Sequence, residues 1–179
     1  MTLTTPRSTR PSRRLEEIGC RLPAPWTLGG RADAVPRVLG PGVDVYAEFV
    51  RVTGRRVTIS GHLPIDDLGA VCGPFGRVGE AVTLEQASEA ARRVMLGIFA
   101  SLVRELGTLD RIGSWVRLFG MVNSAPGFRD YPAVINGASR LVYEVFGPDA
   151  GRHSRVAIGV AGLPFDAPVE IEAEAELVE

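Results

Sequence analysis

Between Val169 and Leu177, apolar and acidic side chains alternate without a break: Val169, Ile171, Ala173, Ala175 and Leu177 against Glu170, Glu172, Glu174 and Glu176. A period of two is the signature of a β-strand with one face buried and the other open. A helix would scatter those five apolar residues around its circumference, so the chain must close with a strand in a sheet covered on one side. The segment before it, Arg155–Ala161, follows the same rule. Arg155, Ala157, Gly159 and Ala161 share one face, and Val156, Ile158 and Val160 share the other.

Two other segments carry a helical period. Thr83 and Gln86 make a T-x-x-Q capping box, Gly107 stands at a stop position, and Ala87, Ala91, Val94, Ile98 and Leu102 form one apolar stripe between them. The spacing predicts a helix over 83–106. Asp130 as cap, Pro132 in the first turn and Gly147 as stop predict a second over 130–146. Between them, Ile112–Val122 is mostly apolar and reads as a strand buried on both faces, with Arg117 directed to an edge or to solvent. Val45–Thr53 and Arg56–Ser60, turning at Gly54, read as a hairpin. The order β-β-α-β-α-β-β predicts an α/β (α+β) fold, a mixed sheet with both helices on one face. Residues 45–179 form that domain. Residues 15–44, rich in Pro, Gly and Arg, read as an irregular N-terminal arm with a short helical stretch near Leu15–Ile18. Residues 1–14 read as a disordered basic arm with four arginines and no acid.

Composition excludes several chemistries. All 20 basic residues are arginine. Without lysine there is no Schiff base to a carbonyl and no P-loop cation. Cys20, Cys72, His62 and His153 are the only soft metal ligands, and none stands at C-x-x-C or H-x-x-x-H spacing, so no metal is expected. No run approaches the roughly 18 apolar residues of a membrane helix. A formal charge of −1 gives no reason to expect nucleic acid or a membrane surface as partner. Two cysteines and no secretory leader in residues 1–14 make a cytoplasmic location the expectation.

Arg155 is the first candidate for chemistry. A guanidinium above Ala157, Gly159 and Ala161 has the donors and the room that a carboxylate-binding cavity needs. The plainer alternative is an edge-strand arginine in solvent, or one paired with a glutamate of the next strand. The glutamate row reads as the solvated face of an edge strand, although one member could serve as acid or base. His62 and His153 could act as bases and Ser60 or Ser154 as nucleophiles, but no G-x-S-x-G elbow accompanies them. The glycines of G-P-F-G-R-V-G-E at 73–80 belong to a loop.

R-V-T-I-S-G-H-L-P at 56–64 resembles the early strand of the Rid (reactive intermediate deaminase) family, and S-R-V-A-I-G-V-A-G-L-P-F-D-A-P-V-E-I-E-A at 154–173 resembles its closing signature. T-L-E-Q-A, V-N-S-A-P-G-F and V-I-N-G-A-S fit between them, so the resemblance covers about residues 45–178. It implies a chorismate-mutase-like fold, a homotrimer with clefts between subunits, and hydrolysis of reactive enamines and imines such as 2-aminoacrylate to 2-oxo acids and ammonia. It implies no cofactor, and a small-molecule substrate bearing a carboxylate. By position, Arg155 matches the family's carboxylate-binding arginine and Glu170 the glutamate that handles a water or proton. Ser60 and Gly61 match the strand end lining the cleft, and Asn136 the pocket asparagine. Four features depart from the family pattern. Ala157 replaces a pocket cysteine, and His62 replaces a glutamine. Tyr46 comes one residue before the expected aromatic, where Ala47 stands. The stretch from Asn136 to Arg155 is about two residues longer. A non-catalytic trimer that binds a small carboxylate is the alternative, and endoribonuclease activity ranks last because the domain is acidic.

If 155–161 and 169–178 were an antiparallel hairpin, Arg155 would face Ala175 and lie roughly 17 Å from Glu170 along the ladder. An arginine reaches only about 6 to 7 Å from its Cα. The two could then meet only if the strands are not hairpin neighbours or if Glu170 comes from an adjacent subunit, and the second is expected.

Overall fold

The computed structural model describes residues 10–24 and 47–178. In chain order the elements are α1 (Pro11–Glu17), β1 (Val50–Thr53), β2 (Arg56–His62), α2 (Leu84–Leu106), β3 (Ile112–Asn123), α3 (Tyr131–Ala150), β4 (Ser154–Val160) and β5 (Val169–Leu177). The five strands form one sheet in the order β1-β2-β5-β3-β4, with only the β3–β4 pair parallel. Both long helices pack on one face, as the alternation of the last strand requires.

Local signals set the helices. Thr83 Oγ accepts from the Gln86 amide while Gln86 Oε1 accepts from the Thr83 amide, and Gly107 ends α2 in the left-handed region at φ 83°. In α3 the break comes at Gly147 as expected, at φ 77°, but Pro148 restarts the chain for one more turn to Ala150. Gly137 lets the two helices touch, because a Cβ there would run into the Ser88 carbonyl of α2. Among the described residues no helix is long and apolar enough to cross a membrane.

Several expectations need correction. The last two strands are not a hairpin. β3, α3 and β4 form a crossover unit that lays β4 parallel to β3 at the sheet edge, and the chain then passes through Leu163–Pro168 to place β5 between β2 and β3. The glutamates therefore stand on the central strand, not on an edge. β3 is central too, yet it is buried on one face only: Leu118 and Val122 are fully covered, while Val116 on the other side is 40% exposed. Arg117 is accordingly neither at an edge nor free in solvent, but half-buried on the open face with its guanidinium 5.4 Å from the Phe119 ring. The expected boundary at residue 14 cuts through α1. Arg14 is nearly buried and donates from Nε and Nη2 to the Glu144 carbonyl at 3.2 and 3.0 Å, and Leu15 joins the core. Strand β2 runs on to His62, two residues beyond the expected end. It does so through a bulge in which Ser60 and Gly61 together oppose Glu172.

Candidate functional site

Arg155 lies on β4 opposite Leu118 and so points to the helix side of the sheet. There its Nη1 donates to Asn136 Oδ1 at 2.8 Å and to Ser139 Oγ at 3.1 Å. Asn136 and Ser139 are three residues apart on α3 and share the face that looks onto β4. Burial holds the guanidinium below its usual pKa, and no carboxylate pairs with it among the described residues. Both Nη1 hydrogens are spent on α3. The Nε–Nη2 edge, the geometry that takes a carboxylate in two parallel hydrogen bonds, has no protein partner among the described residues. Ala157 and Gly159 continue the row beside it with little side-chain bulk. Tyr131 and Ser124 hydroxyls close over Gly159, where a Cβ would come within 2.5 and 2.7 Å of them.

Behind Arg155 the bonds continue. Ser139 Oγ is 3.0 Å from His153 Nε2, and His153 Nδ1 is 2.7 Å from the Gly151 carbonyl. Burial and the nearby Arg155 charge push the His153 pKa below 6.5.

Glu170 is placed differently. It sits on β5 opposite Met121, on the open side of the sheet. Its carboxyl group rests against Gly61, on the spot a Cβ would occupy. Partial burial, reinforced by Glu172, raises its pKa above the ordinary 4.5. Ser60 shares this corner, its hydroxyl donating to the Glu48 carbonyl at 2.6 Å. The structure thus brings together Arg155, Asn136 and Ala157 on one side of the sheet, and Ser60, Gly61 and Glu170 on the other. Register separates the Arg155 and Glu170 Cα atoms by two strand spacings and three residues, roughly 14 Å, with side chains directed apart. Tyr46 lies outside the described residues.

His62 is not a free base. It is 1% exposed, packs against Phe49 with the rings tilted and their centroids 4.7 Å apart, and has Nδ1 at 2.7 Å from the Ser60 carbonyl and Nε2 at 2.9 Å from Ser101 Oγ. Burial lowers its pKa to about 4. Ser154 donates to the Val116 carbonyl and has no histidine partner. Ser139 was not anticipated from the sequence; its i, i+3 relation to Asn136 was the available signal. A cavity of about 70 Å³ on the open side, lined in part by Thr58, Arg117, Phe119 and Glu174, includes neither Arg155 nor Glu170. No three His, Cys, Asp or Glu side chains gather as a metal site among the described residues.

Residues 35–177 match the family model described as "YjgF/chorismate_mutase-like, putative endoribonuclease". Protein TCP17 of Trypanosoma cruzi is 36% identical over 170 residues, 95% of this chain and 96% of its own. The crystal structure of Atu1372 from Agrobacterium tumefaciens, of unknown function, superposes with a TM-score of 0.75 at 35% identity, covering 94% of this chain and 92% of that one. A Shewanella oneidensis protein described as a putative endoribonuclease gives 0.78 at 27% identity, over 94% and 99%. The match of the family model over residues 35–177 and the 36% identity over 170 residues leave one assignment: the chain belongs to the YjgF/chorismate mutase-like family.

Proposed function

We propose that the protein hydrolyses reactive enamine or imine acids, of the 2-aminoacrylate and 2-iminopropionate type, to 2-oxo acids and ammonia, in a cleft shared between subunits of a homotrimer. The observation that carries this reading is the Nε–Nη2 edge of Arg155, which has no partner among the described residues and makes a ready carboxylate fork beside the small Ala157 and Gly159. Arg155 anchors the substrate carboxylate and Asn136 fixes the arginine. An enamine first tautomerises to the imine, losing a proton from nitrogen and gaining one at C3. Water adds to the imine carbon, forming a C–O bond. Glu170 takes a proton from the attacking water and passes it to nitrogen to give the tetrahedral carbinolamine. The carbinolamine hydroxyl proton then moves by way of Glu170 to nitrogen as the C–N bond breaks, releasing ammonia and leaving the 2-oxo acid. A carboxyl pKa raised above 4.5 moves Glu170 toward the range where it can do both. Ser60 and Gly61 hold the ledge on which Glu170 lies.

The opposite orientation of Arg155 and Glu170 supports a site completed by a second copy. The open face supports it too, since it shows Val116, Val156 and Ile158 at 37–40% exposure. A trimer that binds the same carboxylate without turning it over is the second reading, favoured by Ala157, which brings only a methyl group to the cleft. Ribonuclease activity is not favoured, because the open face carries the glutamate row.

The test is complementation with 2-iminobutanoate generated in situ by an amino-acid oxidase. Arg155→Ala and Glu170→Ala are each expected to lose about a hundredfold or more in kcat/KM, the scale of a lost charge-assisted contact. Subunit exchange between the two variants should restore part of the activity, since one interface then keeps both residues. If Arg155→Ala hydrolyses the imine like the wild type, the deaminase reading is wrong. Tight 2-oxobutanoate binding to a wild type that shows no turnover would select the binder.

A further inference from the structure

The bonds behind Arg155 have a single consistent direction. A carbonyl can only accept, so the 2.7 Å contact to Gly151 puts the hydrogen on His153 Nδ1. In the neutral ring Nε2 is then bare. Ser139 must donate its one hydroxyl hydrogen to it, which leaves the oxygen's lone pairs to receive Arg155 Nη1. The order is Arg155 to Ser139 to His153 to the backbone, each group donating to the next. Asn136 takes the second Nη1 hydrogen. Two fixed acceptors on one nitrogen set the plane of the guanidinium, and with it the aim of the free edge.

We infer that His153 is a positioning residue for Arg155, acting through Ser139, and that a carboxylate settling on the guanidinium is accompanied by uptake of a proton on His153. This rests on the reading of Arg155 as a carboxylate site. The charged group facing His153 is Arg155 from β4; from α3 it meets Ser139 and the Tyr143 ring, centroids 5.5 Å apart, and Arg152 beside it in the chain is exposed. In the empty site the Arg155 charge opposes protonation of the imidazole. A bound carboxylate cancels that charge, so the histidine's pKa rises on binding. By linkage, affinity for the anion must then increase as pH falls through the bound-state pKa, and level off below the free one. The expected gain is about threefold to tenfold between pH 8 and pH 5.5, the size of one partly screened charge pair. Glu170 titrates in the same direction if a neighbouring copy brings it to the cleft, so the histidine variants are what isolate this effect.

The chain has only two histidines, which makes each imidazole easy to follow by NMR. Without ligand, His153 should be in the Nδ1–H tautomer, Ser139→Ala should mix the tautomers, and Arg155→Gln should raise the His153 titration toward 6.5. Calorimetry with 2-oxobutanoate, in buffers of different ionisation enthalpy, should show proton uptake by the wild type. His153→Gln, whose amide oxygen can still receive the Ser139 hydroxyl, should bind within about twofold of wild type at pH 8 but lose that uptake. His153→Leu and Ser139→Ala should bind about tenfold more weakly, one charge-assisted hydrogen bond's worth of orientation. If Arg155→Gln leaves the His153 titration where it was, or if His153→Leu and Ser139→Ala bind like the wild type, the inference is overturned. If 2-oxobutanoate binds wild type no better than Arg155→Ala, the carboxylate reading fails and the proton linkage falls with it. The ligand-free resonances would then still decide whether His153 orients Arg155.

Discussion

The two histidines of this chain sit in the same local arrangement and come to different ends. Each places Nδ1 at 2.7 Å from the carbonyl two residues before it, and Nε2 on a helical serine, Ser101 of α2 for His62 and Ser139 of α3 for His153. Each ring is pushed toward neutrality by burial. What differs is the group beyond the serine. Ser101 is fully buried and leads nowhere, so His62 is a packing element that braces the Ser60 carbonyl. Ser139 leads to a guanidinium with an open edge. The same two hydrogen bonds make a core strut in one place and the back of the proposed binding site in the other. The local motif does not set the two apart; the Arg155 edge at the far end of one of them, without a partner among the described residues, does.

If that contrast is right, perturbing the two pairs should move different observables. The largest effect is expected at low pH. A folded pKa lowered from 6.5 to about 4 means that His62 contributes stability in full above pH 6.5 and loses it as pH falls toward 4, about 3 kcal/mol in all. His62→Gln, with a side chain that stays neutral, should lose about 2.5 kcal/mol less stability than wild type between pH 7.5 and 4.5 in urea unfolding. Equal losses in the two proteins would mean that His62 is not buried as described. Next comes the pair of serine deletions. Ser101→Ala strands the acceptor of a buried ring and should cost about 1 to 2 kcal/mol of stability without touching 2-oxobutanoate affinity. Ser139→Ala should do the reverse, weakening binding while unfolding within about 0.5 kcal/mol of wild type. If both behave alike, the distinction between strut and site collapses. The smallest change in stability is expected at Gly61→Ala. Its Cβ meets only the movable end of Glu170, so the carboxylate should swing away at a cost of less than about 0.5 kcal/mol. Imine hydrolysis should nonetheless fall as far as in Glu170→Gln.

What the sequence disclosed follows the range over which each feature is determined. The cap of α2, the stop at Gly147 and the alternation of β5 are fixed by neighbours within a few residues, and all were readable. The place of β5 was not, because it depends on α3 carrying the chain across to the far side of β3 before β5 returns. From that one topological fact follows the central position of the glutamates, whereas the opposed directions of Arg155 and Glu170 come from strand alternation, which sets Arg155 on the side of Ala173 and Ala175 in either arrangement. Arg155 and its row of small residues were visible as a pattern, since alternation along β4 sorts them. Ser139 and His153 were not visible as a pair, because a helix and a strand start meet there only in three dimensions. Arg14 shows the same limit: an arginine in a polar arm looks solvated until the Glu144 carbonyl is found waiting for it.

The bulge in β2 separates two kinds of counting. Up to Ile59 the strand keeps step with β5, and at His62, its last residue, it pairs again opposite Ile171, with one residue to spare between them. Without Gly61 the pairing of Ile59 with Ala173 and of His62 with Ile171 would close into an unbroken ladder, and every buried side chain would stay on its own side. The fold has no use for the extra residue. Glu170 does, because the glycine is the surface its carboxylate lies on. Loss of a single codon would therefore delete the ledge and spare the protein, so a lineage could shed this half of the proposed site in one genetic step while keeping a stable, expressible subunit.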